Sequence, residues 1–184
     1  MHRGQRLADQ PFAATYPGLL TLGIDDPQTY IYRSIVADCL RGLEYLLSRP
    51  EIDPSRVGIV GDDLALISAS RRPNSASAVQ VTSLMFHRIG DARLQTDAYP
   101  IEEMNDELRI APEREAALMR TLSYFDPINH GTIGSGLVNV VVNDDGSIGG
   151  LVWTADLVGR LNDRVSTYQL THEGGTDHDA LDHW

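Results

Sequence analysis

The sequence predicts an α/β fold built on a parallel sheet, and three observations support this. Short apolar runs alternate along the chain with longer segments whose apolar residues recur every three or four positions. Such alternation of strands and helices is typical of parallel sheets covered by helices. The length of 184 residues fits one domain of ordinary size. The composition, 42% hydrophobic and 22% charged, is that of a globular protein.

The first predicted helix begins at Gln28 and carries a single apolar stripe. Pro27 would lie in its first turn, and Asp25 or Asp26 would cap its start. The stripe consists of Tyr32, Ile35, Val36, Cys39, Leu43, Leu46 and Leu47. Because Cys39 lies on this stripe, we expect a small buried side chain and no reactive thiol. As the sole cysteine, it also excludes an internal disulfide.

Four strands are predicted after this helix. They cover residues 57–60, 78–82, 137–142 and 165–170, of which the first and third are continuously apolar apart from Gly58 and Asn139. Helices are predicted over residues 99–122, with a fresh start at Pro112, and over residues 150–161. Residues 1–22 contain helix-breaking Pro and Gly and are predicted as a loop. Residues 176–184 are predicted as a solvated, mobile acidic tail.

The charge of the chain excludes several classes of partner. The net charge is −11, and nucleic acid is not expected as a partner because phosphate binding needs clustered positive charge. The chain lacks both an apolar run of membrane-spanning length and an apolar signal region, so we expect a cytoplasmic protein without a membrane partner. All 15 basic residues are Arg, and Asp outnumbers Glu by 18 to 8. This pattern indicates either adaptation to high salt or a GC-rich genome that favours Arg codons.

Polar residues with catalytic potential follow three of the predicted strands. The carboxyl ends of the strands are where active and binding sites lie in parallel α/β sheets. Asp62 and Asp63 follow the first strand, Asp145 follows the third, and His172 follows the fourth. An acid followed by a histidine is the chain order of the last two triad members in an α/β-hydrolase. The serine of a Gly-x-Ser-x-Gly turn is then expected after the first strand. The chain instead reads Gly61-Asp62-Asp63-Leu64-Ala65 there.

Several longer motifs follow one another over nearly the whole chain. They are Arg3-Gly4-Gln5, Gly23-Ile24-Asp25, Tyr30-Ile31-Tyr32-Arg33, Arg41-Gly42-Leu43-Glu44, Asp53-Pro54-Ser55-Arg56-Val57-Gly58, Thr121-Leu122-Ser123-Tyr124-Phe125-Asp126 and His172-Glu173-Gly174-Gly175. Together they resemble the acetyl xylan esterase and cephalosporin-C deacetylase family, carbohydrate esterase family seven of the α/β-hydrolase superfamily. The resemblance implies a serine hydrolase that deacetylates carbohydrates or other small acetyl esters, without a cofactor or metal. It also implies a homo-oligomer.

The resemblance assigns roles to individual residues. His172 would be the general base and Asp145 the acid that orients it, with the adjacent Asp144 as the alternative. Arg3 and Gln5 would brace the loops around the substrate. The competing interpretation makes Asp145 a turn residue of the Asn-Asp-Asp-Gly segment and His172 a surface histidine.

Two departures from the family pattern decide the functional interpretation. The chain begins after the family's fourth strand, so residues 23–175 would form the C-terminal half of the domain, with strands five to eight. The edge at residues 57–60 would then be unpaired. The elbow lacks the serine nucleophile, and both oxyanion donors are missing. The sequence therefore predicts a homologue that is inactive or strongly impaired. The alternative is a non-catalytic remnant, or a subunit that completes its sheet with another chain.

Asp63 is the acid nearest to the position of the missing serine. Some α/β-hydrolases use an aspartate nucleophile, whose ester intermediate is hydrolysed by a water that histidine activates. The alternative is that the Asp62-Asp63 pair caps the following helix, because Asp is a favoured N-cap and a helix N-terminus favours negative charge. Near the end of the chain, Asp177-His178-Asp179 and Asp182-His183 have metal-binding chemistry, but we expect them to be solvated and to hold no metal.

Overall fold

The structure is a computed structural model that describes residues 17–144, 146–161 and 163–184. The predicted site residues Arg3, Gln5 and Asp145 lie outside the described residues. In chain order the elements are α1 (Ile31–Leu47), β1 (Gly58–Gly61), α2 (Asp63–Arg71), β2 (Ala78–Val81), α3 (Ile89–Ala92), α4 (Ile101–Ile110), α5 (Glu115–Ser123), β3 (Leu137–Val142), α6 (Leu151–Arg160), β4 (Val165–Gln169) and α7 (Gly174–His183). None of the helices in this part of the chain is long and apolar enough to cross a membrane.

The chain divides into two compact units, of which the first is helical. It comprises the described residues up to Asp53 together with Met85–His130, and so contains α1, α3, α4 and α5. An aromatic cluster forms part of its core: the rings of Tyr32 and Phe86 lie 4.5 Å apart, and those of Tyr30 and Phe125 lie 5.3 Å apart. Two of the family-like motifs therefore meet in this core, where aromatic burial stabilises the unit.

The start of α1 differs from the prediction. The helix begins at Ile31, and neither Asp25 nor Asp26 caps it. Asp26 instead accepts a hydrogen bond from the backbone N–H of Gln28 at 2.8 Å, which closes a separate turn before the helix. The apolar stripe is buried only as far as Leu43. Cys39 is half-buried, so the prediction of a buried side chain is wrong.

The second unit contains the sheet and comprises Pro54–Leu84 with Gly131–Trp184. Its four strands pair in the order β1-β2-β3-β4, all parallel, which confirms the predicted parallel α/β sheet. The register places Gln80 beside Asn139 and Asn139 beside Ser166. In β3 the side chains of Val138 and Val140 are fully buried. These central strands therefore carry the apolar core of the sheet.

The edge strand β1 has one partner among the described strands, β2. Val60 in β1 is 68% exposed. The predicted open edge is therefore present in the part of the chain that the structure describes. An exposed apolar edge strand offers unpaired backbone groups to another strand.

The acidic C-terminal segment, which the sequence predicted as a solvated tail, forms a helix. Residues 174–183 form α7, although the helix has few apolar residues. Polar contacts hold it instead: the Gln80 side chain on β2 donates to the carbonyl of Leu181 at 3.1 Å, and Asp177 is buried in the first turn. Such contacts leave no mark on hydrophobic periodicity, so the sequence did not predict this helix.

Candidate active site

The elbow between β1 and α2 holds two carboxylates with different surroundings. Asp62 is the N-cap of α2, and its side chain accepts a hydrogen bond from the backbone N–H of Leu64 at 2.9 Å. Asp63 is the first residue of the helix, and its side chain is fully buried. The predicted capping role therefore belongs to Asp62, which satisfies one of the free N–H groups of the first turn.

His172 and Asp144 come together at the carboxyl ends of β4 and β3. The ring Nε2 of His172 lies 3.3 Å from Oδ2 of Asp144. The side chains are 59% and 68% exposed, respectively. Because β3 and β4 are neighbours in a parallel sheet, the residues that follow them share one edge. The structure thus pairs His172 with the residue that the sequence analysis gave as the alternative acid.

The histidine ring is turned in an unusual way for a catalytic triad. In a Ser-His-Asp triad the acid holds Nδ1, and Nε2 takes the proton of the serine. Here the carboxylate of Asp144 faces Nε2 of His172. The nitrogen that faces the acid is therefore the one that takes the serine's proton in that triad.

The loop after β3 holds Asp144 through its own backbone contacts. Asn143 donates its backbone N–H to the carbonyl of Gly149 at 2.9 Å. The backbone N–H and the hydroxyl of Ser147 both donate to the carbonyl of Asp144, at 3.1 and 2.8 Å. A Cβ at Gly150 would lie 2.3 Å from that same carbonyl oxygen, so only glycine fits there. The turn that supplies the acid is therefore closely packed.

The turn that carries His172 is held by a residue that sequence reasoning missed, Asp177. Its Oδ1 accepts hydrogen bonds from the hydroxyl of Tyr168 at 2.8 Å and from the backbone N–H and hydroxyl of Thr171, both at 2.9 Å. The N–H of Thr171 does most to hold the pKa of Asp177 below its usual value, and the same carboxylate raises the pKa of Tyr168. The sequence carried one signal for this role: Asp177 lies shortly after Glu173, and acidic residues are favoured in the first turn of a helix.

A second histidine–carboxylate pair is buried in the helical unit. Nδ1 of His87 lies 3.2 Å from Oδ1 of Asp126, and the histidine is 1% exposed. Asp126 also accepts hydrogen bonds from the backbone N–H groups of Arg88 and Ile128, both at 3.0 Å. Burial alone would raise the pKa of Asp126, but these hydrogen bonds outweigh burial and lower it. This pair therefore stabilises the fold of its own unit.

The acidic residues of α7 do not gather around a common point. His178 pairs with Asp182 at 3.2 Å on the surface of the helix, while Asp177 faces the β4 turn. Within residues 17–144, 146–161 and 163–184, no three His, Cys, Asp or Glu side chains are placed to hold one metal ion.

Comparison with known proteins establishes the family. The family model for acetyl xylan esterase, AXE1, matches residues 2–148, which is most of the chain. The chain belongs to the acetyl xylan esterase family. It is also similar to the acetyl esterase Axe7A of Xylanibacter ruminicola, with 27% identity over 116 residues that make up 61% of this chain and 25% of the relative.

Two solved acetyl xylan esterases share the fold of this family member. The enzyme from Paenibacillus sp. R4 aligns over 98% of this chain with a TM-score of 0.82 and 24% identity. Acetyl xylan esterase 1 from Thermoanaerobacterium sp. JW/SL YS485 aligns over 98% with a TM-score of 0.74 and 22% identity. The alignment covers 62% of each of those chains. The predicted partial α/β-hydrolase fold, a parallel sheet with flanking helices, is therefore confirmed.

Proposed function

We propose that this chain is an acetyl xylan esterase family member whose deacetylase activity is lost or strongly impaired. The observation that carries the proposal is the β1–α2 elbow, where the family's nucleophile belongs. Residues 61–65 contain no serine. One of the two carboxylates there caps α2, and the other is fully buried. A carbohydrate deacetylase of this family needs a hydroxyl at this point to form its acyl-enzyme.

The chemical consequence of the missing serine is large. In the serine route, the hydroxyl attacks the acetyl carbonyl while histidine removes its proton. Removing the serine of a protease triad lowers turnover by on the order of a million-fold. The His172–Asp144 pair can move protons, but without a nucleophile it supplies only the general base half of the reaction. The ring orientation, with Nε2 facing Asp144, supports the same proposal.

Asp63 is a poor replacement for the serine. A carboxylate nucleophile must meet the acetyl carbon directly, and the Asp63 side chain is fully buried in the first turn of α2. We therefore assign the acid of the retained pair to Asp144 and give Asp63 no catalytic role. The bracing roles of Arg3 and Gln5 stay predictions.

Labelling with a fluorophosphonate probe tests the proposal directly. The probe forms a covalent bond with an activated serine, so we expect no adduct on residues 61–65 by peptide mass spectrometry. The acetyl xylan esterase from Paenibacillus sp. R4 serves as the positive control. Incubation with an acetylated carbohydrate should likewise leave no acetyl group on Asp63. An adduct on Asp63 that disappears in Asp63→Asn would refute the proposal.

The open edge of β1 favours a second candidate function, that of a subunit that completes its sheet with another chain. Val60 on this strand is 68% exposed, and the chain spans 62% of the length of the solved relatives. Strands supplied from outside the described residues would cover the edge and satisfy its backbone groups. The self-association measurement described below tests this candidate.

A further inference from the structure

We infer that Asp177 is the positioning residue for His172. Its carboxylate, in the first turn of α7, holds the turn that presents the imidazole to Asp144. The inference deepens the proposed function, because it concerns the same histidine–acid pair. It depends on the geometry of that turn and not on whether the chain turns over substrate.

Asp177 contacts the turn through its carboxylate and through its backbone N–H. Oδ1 accepts from the Tyr168 hydroxyl near the end of β4, and from both donors of Thr171, the residue directly before His172. The Thr171 hydroxyl in turn accepts from the backbone N–H of Glu173 at 3.2 Å, directly after His172. The backbone N–H of Asp177 donates to the carbonyl of Glu173 at 3.0 Å. Thr171, before the histidine, is thus bound to the Asp177 carboxylate, and Glu173, after it, is bound to the Thr171 hydroxyl and to the backbone of Asp177.

The backbone of His172 needs such support. Its φ is +61°, in the left-handed region that residues other than glycine rarely adopt. Residues in this region keep their conformation only when the surrounding structure imposes it. The imidazole itself is 59% exposed, and among the described residues its ion pair is with Asp144 at 3.3 Å, an exposed contact too weak to impose this conformation. The hydrogen bonds that Thr171 donates to Asp177 are contacts that can impose it.

Asp177 is well placed for this role and unusual on its own helix. It is 8% exposed, whereas Asp179 and Asp182 on the same helix are exposed. A carboxylate that receives several hydrogen bonds near a helix N-terminus is held in its charged form. Asp177 therefore has a fixed position from which it can order the turn, and Asp179 provides a matched control.

Nuclear magnetic resonance of the full chain tests the inference without any activity assay. The wild type should show an Overhauser contact between the His172 ring protons and the Asp144 β-protons, together with slow exchange of the Thr171 amide. In Asp177→Ala we expect the contact to disappear and the Thr171 amide to exchange at least about tenfold faster, since one hydrogen bond is lost. Asp179→Ala removes the same charge from the same helix and should change neither.

The result that overturns the inference is retention of the His172–Asp144 contact in Asp177→Ala, because a residue that only stabilises α7 would leave it in place. Circular dichroism monitors folding of the variants. If Asp177→Ala does not fold, the Tyr168→Phe variant tests the inference instead. It removes the hydroxyl that donates to Asp177 and leaves the Asp177 carboxylate in place. We then expect a weaker contact and faster Thr171 exchange, and an unchanged contact would refute the role of Asp177. Fluorophosphonate labelling does not depend on either result, so this inference and the proposed function can fail separately.

Discussion

At the residue level, the elbow shows how two neighbouring aspartates acquire different roles from their positions. Asp62 has extended backbone and points its carboxylate at the Leu64 N–H, whereas Asp63 is already helical and buried. The sequence predicted a capping role for the pair, because Asp precedes an apolar helical pattern. It could not assign the cap to one residue, since the choice depends on where the helical dihedral angles begin.

Substitution of Asp62 tests this assignment. Asp62→Ala should lower the free energy of unfolding by about 1 kcal/mol, because the Leu64 N–H loses its acceptor. Asp62→Asn should be nearly neutral, since Asn caps about as well as Asp. Urea denaturation of the three proteins provides the measurement. Equal stability of Asp62→Ala and the wild type would show that the hydrogen bond seen at 2.9 Å contributes nothing to the fold.

The buried pair of His87 and Asp126 predicts a pH dependence. The pKa of Asp126 is lowered below its usual 3.8, because hydrogen bonds from His87 and two backbone groups outweigh the burial that would raise it. A lowered pKa in the folded state contributes stability that is fully present above about pH 4 and is lost as the pH falls through the lowered value. Asp126→Asn should therefore reduce the acid-side loss of stability between about pH 4 and pH 2.

Urea denaturation across this pH range measures that loss. Asp91→Asn is the control, because Asp91 is exposed and pairs with Arg88 on the surface. The control should keep the acid-side slope of the wild type. If the stability of Asp126→Asn also falls with pH as steeply as that of the wild type, other carboxylates account for the acid sensitivity.

At the level of elements, the central strands β2 and β3 and most helices could be predicted because burial marks their sequences. The β3 run was predicted with its observed bounds, Leu137–Val142, since buried parallel strands are continuously apolar. α7 could not be predicted, because hydrogen bonds through Asp177 and Gln80 hold it and these leave no periodic apolar pattern. The assignment of His172 came from chain order and the family resemblance, whereas for Asp177 the sequence offered only an acid in the first turn of a helix.

The open edge of β1 predicts self-association of the purified chain. Val60→Arg should reduce association and hydrophobic dye binding, because a charged side chain on an edge strand disfavours pairing with a second strand. Val152→Arg is the matched control: Val152 is 72% exposed, but it lies on α6 and not on a sheet edge. Light scattering over a range of concentrations measures the effect. A monodisperse wild-type monomer without dye binding would contradict the prediction.

At the level of the whole molecule, the charge distribution predicts a dependence on salt. The net charge of −11 creates self-repulsion that salt screens, since the Debye length falls from about 30 Å at 0.01 M to about 3 Å at 1 M. We expect the melting temperature to rise by about 4 °C or more in molar potassium chloride, equivalent to roughly 1 kcal/mol or more. Circular dichroism melts measure it, with sucrose as the uncharged control. An unchanged midpoint would favour codon usage as the reason for the absence of Lys.

Acetate release by the purified full chain tests the central claim most directly. The substrates are p-nitrophenyl acetate and acetylated xylobiose, with His172→Ala as the matched variant and the Paenibacillus acetyl xylan esterase as the positive control. Because the elbow offers no serine and Asp63 is buried, we expect the wild type to release acetate no faster than His172→Ala. Robust release that requires both His172 and Asp63 would contradict the loss of the family's active site.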